Sequence, residues 1–94
     1  MYVVVRSYSG ESGTAVVDAV VQSKDEVKEL LSGVPGFVSY AAFRHDGGAT
    51  TVTMCQDKEG TDESTRRAAA WVTDNIDATI DPPSITEGET AVSF

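Results

Sequence analysis

Residues 37–55 read Phe37-Val38-Ser39-Tyr40-Ala41-Ala42-Phe43-Arg44-His45-Asp46-Gly47-Gly48-Ala49-Thr50-Thr51-Val52-Thr53-Met54-Cys55. Two runs rich in β-branched, small and aromatic residues flank Asp46-Gly47-Gly48, where glycine supplies the positive φ angles that a tight hairpin turn demands. A helix pattern lies on each side of this hairpin, and a strand pattern lies beyond each helix. The resulting order, β-α-β-β-α-β, is the split βαβ arrangement. It predicts an α+β fold in which a four-stranded antiparallel sheet carries two helices on one face.

Upstream, Tyr2-Val3-Val4-Val5-Arg6-Ser7-Tyr8 is β-branched and aromatic, a good first strand. Ser9-Gly10-Glu11-Ser12-Gly13 then breaks the pattern. From Thr14 the apolar positions Val16, Val17, Val20, Val21, Val27, Leu30 and Leu31 recur at helical steps to about Ser32. The paired valines lower helix propensity and leave strand as a competing reading there. Ser23 with Glu26 has the spacing of a capping box, which would divide the segment into two helices. Gly33 and Pro35 end it.

Downstream, Asp57-Lys58-Glu59-Gly60 reads as a loop and Thr61 as the N-cap of the next helix, with Asp62 and Glu63 in its first turn. Ala68, Ala69, Val72 and Ile76 form its apolar stripe, with Trp71 on the flank and Asn75 at the end. After a linker through Pro82-Pro83, residues Ile85 to Phe94 supply the last strand.

Ninety-four residues make one domain, 1–94, with a modest core that a partner subunit would help. No apolar run approaches the ~18 residues of a membrane span. Met1 to Tyr8 already reads as a strand, with Arg6 inside it, so no secretory segment is expected and the location is cytoplasmic. The lone Cys55 has no internal disulfide partner, in keeping with a reducing compartment. Seven Lys plus Arg against fifteen Asp plus Glu leave a formal charge of −8, which phosphate backbones and anionic lipid repel. Neither nucleic acid nor a membrane is an expected partner.

With Gly47-Gly48 as the hairpin loop, Asp46 pairs with Ala49 and Phe43 falls opposite Val52. Phe37, Ala41, Phe43, Val52 and Met54 then share one side, and this more apolar set is assigned to the helices together with Val3 and Val5. Val38, Tyr40, Ala42, Arg44, Thr51, Thr53 and Cys55 share the other side with Tyr2, Val4, Arg6 and Tyr8. About 14 residues at ~32 Å² each make that second face on the order of 450 Å². An uncovered apolar face of this size usually binds something. Two copies meeting face to face around a two-fold axis would close a barrel with a cavity, so a homodimer is expected.

Taken together, Val34-Pro35-Gly36-Phe37 leading into Tyr40, the Asp46-Gly47-Gly48 hairpin, Asp57-Lys58-Glu59-Gly60-Thr61, and Ser64-Thr65-Arg66-Arg67-Ala68-Ala69-Ala70-Trp71-Val72 with Asn75 resemble the dimeric α/β-barrel proteins. These belong to the ferredoxin-like superfamily that includes the antibiotic-biosynthesis monooxygenases. The resemblance implies a dimeric barrel and a functionally mixed family. Its members include cofactor-independent oxygenases of aromatic polyketides, haem-degrading enzymes, lactone isomerases and uncharacterised proteins. The haem-degrading branch uses an Asn on the first strand and a His on the second helix, and this chain has neither.

The chemistry-bearing residues are few. His45 beside Asp46 has the makings of an oriented general base, although turns beside Gly-Gly are usually exposed and idle. One His and one Cys without clustered carboxylates do not make a metal site, and no cofactor is expected. Cys55 reads as a small buried hydrophobe. Arg6, Tyr8, Tyr40 and Arg44 are the candidate ligand-binding residues on the outward face, with stacking surface from the tyrosines and anion recognition from the arginines. Trp71 is a further candidate at a pocket beneath the helix, against a plain core role. Two readings follow. One is a non-catalytic dimeric barrel module whose sheet face, tyrosines included, is mainly a structural interface, with a small aromatic or carboxylate ligand in the barrel as an incidental role; the other is a cofactor-independent monooxygenase of an aromatic substrate.

Overall fold

A computed structural model describes residues 1–94. Strand β1 spans Tyr2–Ser9, and two helices follow, α1 over Gly10–Gln22 and α2 over Lys24–Ser32. The hairpin comprises β2, Phe37–His45, and β3, Gly48–Cys55. Helix α3 spans Lys58–Asn75, and β4, Ser84–Glu89, closes the order. The strands form one antiparallel sheet in the order β2-β3-β1-β4. This is the expected α+β, ferredoxin-like arrangement, with the first helical segment divided in two. No helix is long and apolar enough to cross a membrane.

The helical reading of the valine-rich segment holds because Val16 and Val17 are buried while Val21 faces solvent. Its start is a correction. The helix does not wait for Thr14, since α1 begins at Gly10 directly after the strand. Gly13 permits this because a Cβ there would stand 2.5 Å from the Ala49 nitrogen and 2.7 Å from the Tyr8 carbonyl oxygen. Only a residue without a side chain lets the helix rest on the strand ends so closely.

The chain does break at Ser23, but no capping box forms there. The Ser23 side chain makes no cap bond, and the Glu26 carboxylate accepts from the Trp71 indole N–H at 3.2 Å instead. The N-cap of α3 is also earlier than expected. Asp57 accepts from the Gly60 N–H at 3.0 Å, so Lys58–Gly60 is the first helical turn and Thr61 lies inside the helix. An acidic side chain one turn upstream outcompeted the threonine. The last strand stops at Glu89, well before Phe94.

The hairpin loop is Asp46-Gly47, with His45 paired to Gly48, Arg44 to Ala49 and Phe43 to Thr50. Phe43 therefore does not face Val52, whose partner is Ala41. Gly48 carries the positive φ, 140°, and any side chain there would collide with the Tyr8 carbonyl.

The assignment of the sheet faces is inverted. Val4, Arg6 and Tyr8 point under the helices, with Thr51, Thr53 and Cys55 beside them on β3. The open face carries Val3, Val5, Ala41, Val52 and Met54, together with Phe43, which is 49% exposed. Apolarity does not decide the faces here, because both sides of β1 are apolar and the polar groups of the other set satisfy one another beneath the helices. Arg6 is fully satisfied inside. Phe37 does lie under the helices as expected, packed against Val27, Leu31 and Trp71. A β-bulge between Phe37 and Ser39 puts it out of step with Ala41 and Phe43.

Candidate functional site

Helix α3 carries Thr65, Ala69, Val72 and Thr73, spacings that place them on one face, and Ile76 follows at its C-cap. That face does not close fully onto the sheet. Beneath it lies a cleft of about 460 Å³, floored by Arg6 and Tyr8 of β1 and edged by Ile85 of β4. The segment after α3 forms the remaining wall through Ile80 and Pro82-Pro83. A bond from the Asp81 N–H to the Ser12 hydroxyl, 3.0 Å, ties this strap to α1. The volume suits a small organic molecule, and most of the lining is apolar with few polar groups.

Arg6 dominates the electrostatics. It is 1% exposed and makes no ion pair. Its Nε donates to Thr65 Oγ1 at 3.2 Å. Nη1 donates to Thr51 Oγ1 at 3.4 Å and Thr53 Oγ1 at 3.1 Å. Nη2 donates to Ser64 Oγ at 2.8 Å and again to Thr65 Oγ1 at 2.9 Å. The guanidinium thus finds a partner for each N–H among neutral hydroxyls, which removes the cost of orphaned donors. It leaves the positive charge itself uncompensated.

Burial pushes the Arg6 pKa below the ordinary arginine value, partly offset by the phenols of Tyr8 and Tyr40 and by Cys55. An arginine so placed still holds its proton. Burial pushes Tyr8 up, with the Arg6 charge pulling it back. Tyr40 behaves alike, raised first by burial, lowered by Arg6 and raised again by Tyr8. The cation and two phenols form one electrostatic group. Such a buried charge at the floor of an apolar cleft favours an anionic or electron-rich occupant.

The five sequence candidates separate clearly. Arg6 and Tyr8 meet at the cleft floor. Tyr40 lies behind Tyr8, and both line a small interior gap of about 20 Å³ that Trp71 also borders. Arg44 is elsewhere, exposed and paired with Asp18 of α1 at 2.8 Å. Trp71 is part of the core with Val27 and Leu31. The arginines and tyrosines therefore do not converge on an outward sheet face. Sequence reasoning missed Thr65, Ser64, Thr51 and Thr53; the signal was the density of hydroxyl residues on β3 and at Ser64-Thr65, which a buried arginine on β1 can reach.

His45 sits at the hairpin tip, exposed. Its Nδ1 accepts from the Gly47 N–H at 3.2 Å, so Nε2 carries the proton toward Thr50 Oγ1 at 2.8 Å. Both ring nitrogens are engaged locally and Asp46 does not orient the ring. A larger hollow of about 640 Å³ at the start of α3 has no hydrophobic lining, so it offers an apolar ligand no grip.

No family model and no curated protein matches the sequence. Solved structures do match in three dimensions. A monooxygenase from the gene ActVA-Orf6 of Streptomyces coelicolor, in complex with the ligand nanaomycin D, is 15% identical with a TM-score of 0.71, over 99% of this chain and 89% of that one. A protein of unknown function from Nitrosomonas europaea, NE2512, is 17% identical with a TM-score of 0.67, over 99% and 90%. SnoaB, a cofactor-independent oxygenase from Streptomyces nogalater, is 14% identical with a TM-score of 0.55, over 99% and 93%. The chain has the ferredoxin-like fold shared by these proteins and by antibiotic-biosynthesis monooxygenases.

Proposed function

We propose that this chain is a homodimeric, cytoplasmic α/β-barrel protein that binds a small aromatic or carboxylate ligand in the cleft between α3 and the sheet. One observation carries the reading: a buried arginine without a carboxylate partner floors a largely apolar cleft of about 460 Å³. Burying an uncompensated cation is costly, and an electron-rich occupant offsets that cost. The uncovered apolar sheet face supports the dimer, and the free, buried Cys55 is in keeping with a reducing compartment.

Thermal-shift and calorimetric titration with hydroxyarenes and arenecarboxylates test it. Ala69 lines the cleft on an exposed stretch of α3, so Ala69→Trp fills the space without entering the core. Binding by the unaltered chain and a loss of about tenfold or more in the variant are expected. Undiminished affinity in a folded Ala69→Trp protein would place the ligand elsewhere.

A second reading, cofactor-independent monooxygenation, is favoured by the likeness to ActVA-Orf6 and SnoaB, whose names describe oxygenases. A cation under the cleft suits stabilisation of an electron-rich aromatic anion that reacts with dioxygen. Dioxygen uptake in the presence of a bound hydroxyarene, without added metal, separates it from simple binding.

A further inference from the structure

Arg6 has five N–H groups, and five hydrogen bonds to hydroxyls account for them. None remains to point at a ligand. Thr65 differs from the other three hydroxyl residues because it both receives Arg6 twice and lines the cleft. Two guanidinium N–H groups occupy both lone pairs of its oxygen, so its proton takes the remaining direction. No acceptor within the chain engages that proton. Ser64, by contrast, gives its proton to the Thr61 carbonyl at 2.7 Å. A hydroxyl that accepts from a cation is also a stronger donor, since chained hydrogen bonds polarise one another.

We propose that Thr65 is the group that meets the ligand's oxygen, with Arg6 as a positioning residue that polarises it from behind, and that the site therefore prefers a single-oxygen acceptor to a carboxylate. The inference rests on the cleft being the ligand site and specifies how that site chooses. A carboxylate is best held by two parallel guanidinium N–H groups, and Arg6 has none to give. One polarised hydroxyl answers one oxygen. A further donor is the Tyr8 phenol, which also lines the cleft and makes no hydrogen bond within the chain.

The probes are 4-nitrophenol and 4-nitrobenzoate, similar in shape and different in the acceptor they present. With the unaltered full-length chain, 4-nitrophenol should bind at least about tenfold more tightly than 4-nitrobenzoate. Its visible absorbance should show the apparent pKa of the bound phenol falling by about one, as expected for an oxygen that accepts a hydrogen bond from the polarised Thr65 hydroxyl. Thr65→Ser should retain both properties. Thr65→Val should lose both, and because it strips Arg6 of acceptors it is paired with the double variant Arg6→Met/Thr65→Val, which leaves no orphaned cation. Equal or tighter binding of 4-nitrobenzoate by the unaltered chain overturns the proposal without needing any variant. A lowered phenol pKa that survives Thr65→Val overturns it too, because the guanidinium would then act on the ligand directly. Binding of neither probe overturns the cleft reading itself, and this inference with it.

Discussion

The side chain that organises this molecule is Arg6, and its neighbours register its presence as titration behaviour. Tyr8 and Tyr40 share its interior, and burial raises both phenols above their ordinary value of 10.0 despite the opposing pull of the cation. The folded chain therefore prefers these tyrosines protonated. Their contribution to stability is complete below the unfolded pKa and declines as the pH rises through the higher folded values. Urea midpoints should be flat from about pH 8 to about pH 10 with respect to these groups and fall above that. Tyr8→Phe should show a shallower alkaline decline than the parent. An identical decline in Tyr8→Phe would mean that its phenol ionises freely in the fold. Arg6 and Tyr8 could be singled out from the sequence and both reach the floor of the cleft, whereas the direction in which they point was not legible. The run Val3-Val4-Val5 is apolar on both faces, so alternation alone offered no way to choose. The choice came from four hydroxyls distant in sequence, Thr51, Thr53, Ser64 and Thr65, which make burial of a guanidinium tolerable.

Among the elements, existence and order could be read directly while their ends could not. Helix termini depend on which of several polar side chains reaches the free N–H groups first, and such candidates stand within a few residues of one another here. Asp57 caps α3 through the Gly60 N–H, whereas Ser23 occupies the corresponding position at α2 and bonds nothing with its side chain. The two caps should therefore respond differently to the same change. Asp57→Ala should cost about 1 kcal/mol in denaturant unfolding, and Ser23→Ala should stay within about 0.5 kcal/mol of the parent. Equal losses would show that Ser23 caps in solution after all. The Glu26 carboxylate that a capping box would have used is committed to the Trp71 indole, a contact between residues 45 positions apart. Tertiary bonding of this kind is invisible to a local motif. The hairpin gives a parallel lesson. Asp46-Gly47-Gly48 located the turn, yet moving the loop by one residue changed every cross-strand partner, and the close approach of Gly48 to Tyr8, which the local motif does not contain, accompanies the register that forms.

At the scale of the whole molecule, the sheet has two uses for its two faces. The helix-covered face holds the arginine and the cleft, and the other presents Val3, Val5, Val52, Met54 and Phe43 to the outside. The expectation that one face is too apolar to stand alone thus applies to the opposite side from the one first assigned, and the homodimer proposal passes to that side unchanged. Its strength can be bounded. A face on the order of 450 Å² per copy, about 900 Å² for two, lies at the low end of specific interfaces. Each copy also brings a formal charge of −8, and two such bodies repel. A weak dimer with a dissociation constant near the micromolar range is therefore expected, tightening as salt screens the charge. Sedimentation at several concentrations and two ionic strengths measures both effects. Phe43 stands on an edge strand, half exposed, so Phe43→Glu disturbs no buried contact while placing a carboxylate against its symmetry mate's face. That variant should sediment as a folded monomer at every concentration, and it should retain its cleft, which lies on the far side of the sheet. A Phe43→Glu chain that still dimerises would move the interface off this face, and a parent chain that is monomeric throughout would leave these valines as ordinary exposed surface.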